Sequence, residues 1–263
     1  MSDLSNVKCS CCGEPIERVR YFPRQLLTAD DMRIEQEYVR EKLRRHNRYL
    51  HGWGVVCGCT VEPVPNAKGL QVRVCPGYAV GPQGDEIWIS ECIDVDLKTG
   101  PQDQPCSVRW PCPPVGEMPG ERDHSINAYI AVRYAECYSR PVRVHPAGCG
   151  CDEVGCEYSR IRDSFEIKVL WELPQSHIDA QKDDEVWCAT VHKLPPEGRR
   201  LHTFPVPPCP ECVTDPWVVL ATVNIPGGAV STHDAPVQLH ISYVHRRVLL
   251  ATQRLQTAML CLP

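Results

Sequence analysis

Twenty-five prolines run through this 263-residue chain, and each one removes a backbone donor and fixes φ. A helical bundle cannot absorb that number, so the chain must be built mainly from strands and irregular loops, and an all-α fold is excluded. Hydrophobic residues make up 43 %, charged residues 23 %, and the formal net charge is −5. That balance excludes a solvated tail, a collagen and a polybasic nucleic-acid binder. The length suffices for one large domain or two small ones with a genuine core.

Seventeen cysteines are the second abnormal count. The opening Met1-Ser2-Asp3-Leu4-Ser5 lacks the basic stretch and apolar core of a secretory signal, and no run approaches the ~18 apolar residues of a membrane span. Synthesis in the cytoplasm without a signal peptide, and no membrane insertion, are therefore expected. Cytosolic thiols stay reduced, which favours metal ligation or burial over disulfides, and an odd total forbids complete intrachain pairing. An assembled particle released by lysis would meet oxidising conditions late, and its cysteines could pair after folding.

Residues 1–20 form a cysteine-containing arm, and the first clear element follows in residues 21–53. Thr28 suits a helix N-cap, Asp31 stands where the acid of a capping box belongs, and Asp30 and Asp31 suit the positive end of the helix dipole. A helix from Ala29 to Leu50 is predicted. Arg40, Lys42, Arg44, Arg45 and Arg48 crowd its last turns, which complements the dipole or offers a phosphate-binding face. At 100° per residue, Met32, Gln36, Val39, Leu43, His46 and Leu50 fall on one stripe, while Ile34, Tyr38 and Tyr49 fall well away from it. A helix on its own domain needs one stripe, so the second either docks a partner chain or is wedged within the same chain. Gln36 and His46 fit an oligomer seam, where a polar residue sets register at some cost in stability.

The glycines of His51-Gly52-Trp53-Gly54-Val55-Val56-Cys57-Gly58 end the helix and turn the chain into extended structure. Residues 54–242 read as an antiparallel β region with cysteine- and proline-rich loops. Leu70, Val72 and Val74 alternate with polar neighbours, as do Glu86–Ser90 and Ile93–Leu97, with turns at Pro76-Gly77 and Pro82-Gln83-Gly84-Asp85. Thr99–Asp123 is a proline-rich loop that Cys106 and Cys112 could pin. Further strands are predicted at Asn127–Tyr138, at Phe165–Trp171, with Phe165, Ile167, Val169 and Trp171 on one face, at Trp187–Lys193 and at Trp217–Ile225. Residues 243–263 read as a C-terminal helix, Tyr243 to Leu260 carrying its pattern. The expected architecture is mainly β, as an antiparallel sandwich or barrel-like sheets, with one N-terminal and one C-terminal helix.

Zinc requires four tetrahedral ligands, and a Cys-x-x-Cys turn supplies two. Cys9 with Cys12 and Cys209 with Cys212 form two such turns, which could share one ion if the fold brings them together. Cys149, Cys151 and Cys156, with Cys137 from the preceding strand, make a second candidate; disulfides formed after release compete with both. Zinc is thus the one cofactor the sequence suggests. Cys57 and Cys59 alternate along a strand and are expected on one face. Asp94 and Asp96 alternate similarly and read as solvated carboxylates. His46 with His51, and His240 with His245, do not present two ligands one α-helical turn apart. No nucleophile elbow, phosphate loop, dinucleotide fingerprint or His-Glu-x-x-His is present, and no catalytic residue is nominated.

The run Tyr21-Phe22-Pro23-Arg24-Gln25-Leu26-Leu27-Thr28-Ala29-Asp30-Asp31, the segment Arg44-Arg45-His46-Asn47-Arg48-Tyr49-Leu50-His51-Gly52-Trp53-Gly54-Val55-Val56-Cys57-Gly58, and Val72–Ala79 resemble proteins found with phage tails, prophages and contractile injection systems. Ala131–Glu136 and Ser159–Glu166 extend the likeness, which covers most of residues 20–175. The cysteine load departs from it. The resemblance implies a structural particle component, its partners being copies of itself and other particle proteins. The alternatives are a zinc-stabilised adaptor that recognises a protein or glycan and, less favoured, a metal-dependent hydrolase, which would need an open coordination position and a water-activating carboxylate.

Overall fold

The computed structural model describes residues 16–64, 70–101, 125–144, 155–195, 205–206, 209–210, 213–227 and 238–255. Helix α1 (Ala29–His46) runs without a break into a π-helical turn, Asn47–His51. Seven short strands follow: β1 (Gly54–Gly58), β2 (Val61–Pro63), β3 (Gln71–Val74), β4 (Gly77–Val80), β5 (Glu86–Ile89), β6 (Ile93–Asp96) and β7 (Gly100–Pro101). Two long strands, β8 (Ile126–Val144) and β9 (Gly155–Leu170), lead into α2 (Gln175–His192) and then β10 (Val218–Ile225) and β11 (His240–Ser242). A single helical turn occupies residues 252–255.

The strands pair antiparallel in three sheets, ordered β1-β4-β5, β2-β3-β6-β7 and β11-β10-β8-β9, and none closes into a barrel. The fold is mainly β, as the proline count requires. Alternation explains the small strands: Val72 and Val74 point inward while Gln71 and Arg73 do not, and Ile87 and Ile89 are buried on either side of the exposed Trp88. Inner faces of all three sheets meet in one apolar cluster that includes Leu70, Ile89, Val95, Ile130, Ile167 and Leu220. Phe165 and Ile167 enter this cluster, and Val169 and Trp171 pack at its edge, as their shared period predicts. Strand β10, between β8 and β11, is buried on both faces, which accounts for its nearly unbroken apolar sequence.

Strands β8 and β9 are longer than the alternation suggested. Their register runs from Tyr129↔Leu170 to Val144↔Gly155, whereas β10 accompanies β8 only as far as Val132. From Arg133 onward the two strands form a ribbon of their own. An ion pair between Arg133 and Glu166 (2.6 Å), a hydrogen bond from the Tyr134 hydroxyl to Asp163 (2.7 Å) and stacked rings of Tyr138 and Tyr158 (6.0 Å) tie it across.

Two expectations change here. Trp187–Lys193 is not a strand: Trp187–His192 is the last part of α2, with Lys193 as its C-cap. Helix-forming residues and the hydrogen bonds Gln175–Asp179 (2.7 Å) and Gln181–Glu185 (3.1 Å) establish the earlier turns, and a helix already nucleated extends at little cost through Val186, Thr190 and Val191. The C-terminal helix begins later than Tyr243. Before it, Tyr243–Leu250 forms a strap along β1: Val55 donates its N–H to the Arg247 carbonyl (2.9 Å), and Leu249 donates to the Val55 carbonyl (2.9 Å). Those bonds commit residues 247–249 to an extended path, after a turn closed by the Arg246 N–H on the Tyr243 carbonyl (3.0 Å). Gly54, at φ +141°, permits this approach, because a Cβ there would stand 2.7 Å from the Arg247 carbonyl oxygen. Residues 102–124, with Cys106 and Cys112, and residues 256–263 lie outside the described residues.

Candidate functional site

Helix α1 begins as its sequence prescribes. The Thr28 hydroxyl accepts from the Asp31 N–H (3.2 Å), and the Asp31 carboxylate accepts from the Thr28 N–H (2.8 Å), which closes the capping box. The hydrogen bonds from Thr28 hold the Asp31 carboxyl below its ordinary range. The face that meets the rest of the chain was not legible in the apolar pattern, because it is polar. Arg40 pairs with Glu136 on β8, Arg44 places Nε 2.6 Å from Asp85 and Nη1 2.7 Å from Glu41, and the Asn47 amide donates to the Gly84 carbonyl (2.9 Å).

Arg44 and Asp85 are both buried. Burial pushes the Asp85 carboxyl up despite the guanidinium beside it; burial also opposes the charge on Arg44, but Asp85 and Glu41 outweigh it and hold Arg44 charged. The turn before β5 is shaped to receive the helix. Gly84 sits at φ +90°, and a Cβ there would lie 2.2 Å from the Arg44 carbonyl oxygen. Much of the basic run is therefore absorbed within the chain, with Arg48 stacked on Tyr49 (5.1 Å) and Lys42 over Tyr38 (5.4 Å).

The predicted stripe lies beside this polar face, with Gln36 one turn before Arg40 and Leu43 one turn before Asn47, and it is exposed. Met32 is 49 % exposed, Val39 59 %, Leu43 47 % and Leu50 69 %, and Gln36 and His46 are exposed with them. Tyr21, Phe22, Leu26 and Leu27, just ahead of the helix, are exposed as well. An intrachain apolar stripe was expected on one side of α1. Ion pairs take its place, and the apolar residues face outward.

Among the described residues, the cysteines proposed as metal ligands are Cys137, Cys156 and Cys209. Cys9, Cys12, Cys149, Cys151 and Cys212 lie outside the described residues, and Cys209 is an exposed thiol. Cys137 is disulfide-bonded and Cys156 is an exposed thiol. Strand register sets Cys137 opposite Arg162 and Cys156 opposite Arg143, a separation of six residues or about 20 Å along the ribbon. The structure does not bring those two together as ligands of one ion. Among the described residues no group of three or more His, Cys, Asp or Glu side chains is placed to hold a metal.

Cys57 and Cys59 do not share a face. A bulge between Val55 and Cys57 and the end of β1 at Gly58 break the alternation, leaving Cys57 exposed and Cys59 buried at φ +52°. Burial pushes the Cys59 thiol up to about 11. Asp94 and Asp96 both have structural partners. Asp94 takes a two-pronged hydrogen bond from Arg73 (2.6 and 2.9 Å), which holds its carboxyl below the usual range, and Asp96 accepts from the N–H groups of Lys98 (2.7 Å) and Thr99 (3.1 Å). Unforeseen in the sequence, Cys75 and Cys92 face each other, hydrogen-bonded, one step beyond the Val74↔Ile93 pair.

A cleft of about 480 Å³ separates α2 from the strap. His177 stands at its floor, but Nε2 accepts from the Val219 N–H (3.0 Å), and the ring meets Trp53 edge-on at 4.8 Å. Burial drives its pKa down to about 4, so the imidazole is neutral and locked to the backbone. Asp184, on the cleft wall, is paired with Arg247 (2.6 Å). Arg246 donates to the carbonyls of Leu220 (2.6 Å) and Cys59 and stacks on Tyr243 (4.1 Å), while the Tyr243 hydroxyl donates to the Val61 carbonyl (3.0 Å). These groups stitch the strap across the sheets. Among the described residues no helix is long and apolar enough to cross a membrane. No family model matches the chain, and no curated protein matches it either.

Proposed function

We propose that this protein is a non-enzymatic structural subunit of a self-assembled, phage-tail-like particle, which associates with copies of itself through the outward face of α1. One observation carries the reading: a capped, firmly anchored helix presents its main apolar stripe to the outside. Met32, Gln36, Val39, Leu43 and His46 follow one another at steps of four, three, four and three residues, the spacing of a coiled-coil seam. Such a seam is best covered by another of its kind, and a second copy supplies one. The residues that resemble phage-tail and injection-system proteins include the start of this helix and its closing turn.

Magnitudes bear on how much surface is needed. Completing the burial of four half-exposed side chains contributes about 1 kcal/mol each, or about 8 kcal/mol for a pair of chains. Association costs about 4–15 kcal/mol. The stripe alone therefore sits near balance, and Tyr21, Phe22, Leu26 and Leu27 supply the surplus.

Sedimentation velocity on the purified chain at micromolar concentration tests this. The wild type should form a discrete oligomer or polymer, and Val39→Asp with Leu43→Asp should shift it to monomer with an unchanged far-UV spectrum, since both side chains are exposed. A wild-type chain that is monomeric alone, and also beside its neighbouring particle proteins, would refute the proposal.

A further inference from the structure

His46 and His51 are five residues apart, a spacing that places two side chains on different sides of an α-helix. Here the backbone changes pitch between them. Residues Asn47–His51 form a π turn, in which each N–H reaches back five residues instead of four, and the Gly52 N–H closes it on the Asn47 carbonyl (2.9 Å). The wider turn swings His51 round over His46. Their Nε2 atoms stand 3.2 Å apart, and their ring centroids are 5.1 Å apart at 61°. The nitrogens are closer than the ring centres, so the two imidazoles meet by their Nε2 edges.

We propose that His46 and His51 form a two-histidine chelate for a borderline divalent transition ion, zinc in the first instance. A tetrahedral ion with Zn–N bonds of about 2.0–2.1 Å holds two ligand nitrogens about 3.3 Å apart and the imidazole centroids about 5.1 Å apart. Both separations in the protein match. In the absence of metal, the two nitrogens are within hydrogen-bond distance of each other. Neutral imidazole suits zinc, nickel and copper, and does not suit magnesium or calcium, which take oxygen ligands. Both rings are exposed, and no third His, Cys, Asp or Glu side chain joins them among the described residues. A bound ion therefore keeps two coordination positions open to water or to an imidazole or thiolate brought by another molecule. The chelate needs only the π turn within one chain, and because His46 also ends the seam proposed above, bound zinc and oligomeric state are read separately for each variant.

The full chain, reduced, is titrated with zinc against a chromophoric chelator, and bound equivalents are counted for wild type, His46→Ala, His51→Ala and the double variant. Counting differences from wild type removes the contribution of any cysteine sites. Each single variant should lose one zinc equivalent, or weaken it at least about tenfold by losing the locally held second ligand. The double variant should lose that same equivalent and no more. Far-UV circular dichroism of the variants should match wild type. Unchanged zinc in either single variant, or additive losses in the double, would overturn the proposal.

Discussion

The two long helices are both eighteen residues, and both show most of their length to solvent, yet they are fixed to the sheets by opposite means. Helix α1 is held along its C-terminal half by charge, through Arg40, Arg44 and the Asn47 amide, and starts in a closed capping box. Helix α2 has no side-chain cap. It is held at its first turn by a neutral imidazole, which His177 drives between Trp53 and the β10 backbone, and farther along by the exposed ion pair of Asp184 with Arg247. A helix can thus be anchored by a buried ion pair, which leaves its apolar side unused, or by an inserted ring supplemented with an exposed ion pair.

The strongest way to break this contrast is to remove one partner of the buried pair. Arg44→Ala should cost about 3–5 kcal/mol at pH 7, because it strands the Asp85 carboxylate away from water. Urea unfolding should show that deficit shrinking as pH falls, as Asp85, already inclined by burial to keep its proton, becomes neutral. A deficit that grows on acidification would contradict this account of how α1 is attached.

Acid should act on α2 in the other direction. Unfolded histidine takes up its proton near 6.5, and folded His177 near 4, so between those values the unfolded chain binds more protons. The contribution of the neutral ring is complete above pH 6.5 and disappears as pH falls to about 4, a loss of roughly 3 kcal/mol. His177→Gln, which can still accept from Val219, should flatten the stability profile across that interval.

Much of this arrangement was readable beforehand, and the unreadable parts have identifiable causes. Thr28 and Asp31 announced the start of α1 because capping is local chemistry, and the alternation at Val72 and Val74 announced a strand for the same reason. Arg44 could not be matched to Asp85, forty-one residues away, without the fold. The end of α2 was misread because Val186, Trp187 and Val191 prefer strands in isolation and follow helix-forming neighbours here. The π turn left no mark in the sequence, and so the relation of His46 to His51 emerged only with coordinates.

Smaller effects sharpen the comparison. Gly84→Ala forces a side chain into left-handed backbone against the Arg44 carbonyl and should cost about 2 kcal/mol, read as loss of amide protection in α1 with α2 unaffected. Thr28→Ala should cost about 1 kcal/mol and fray only the first turn of α1. Equal loosening of both helices in either variant would mean that they are not separately anchored.

The β8–β9 ribbon gives the molecule reach. Its outermost stretch, residues 138–144 with their partners on β9, extends about 20 Å at the usual rise of a strand. An arm of that length can touch a neighbour well beyond the body that carries it. Cross-strand ties at its base, Arg133 with Glu166 and Tyr134 with Asp163, fix the near end of this arm beside Glu136, which is itself paired with Arg40 of α1.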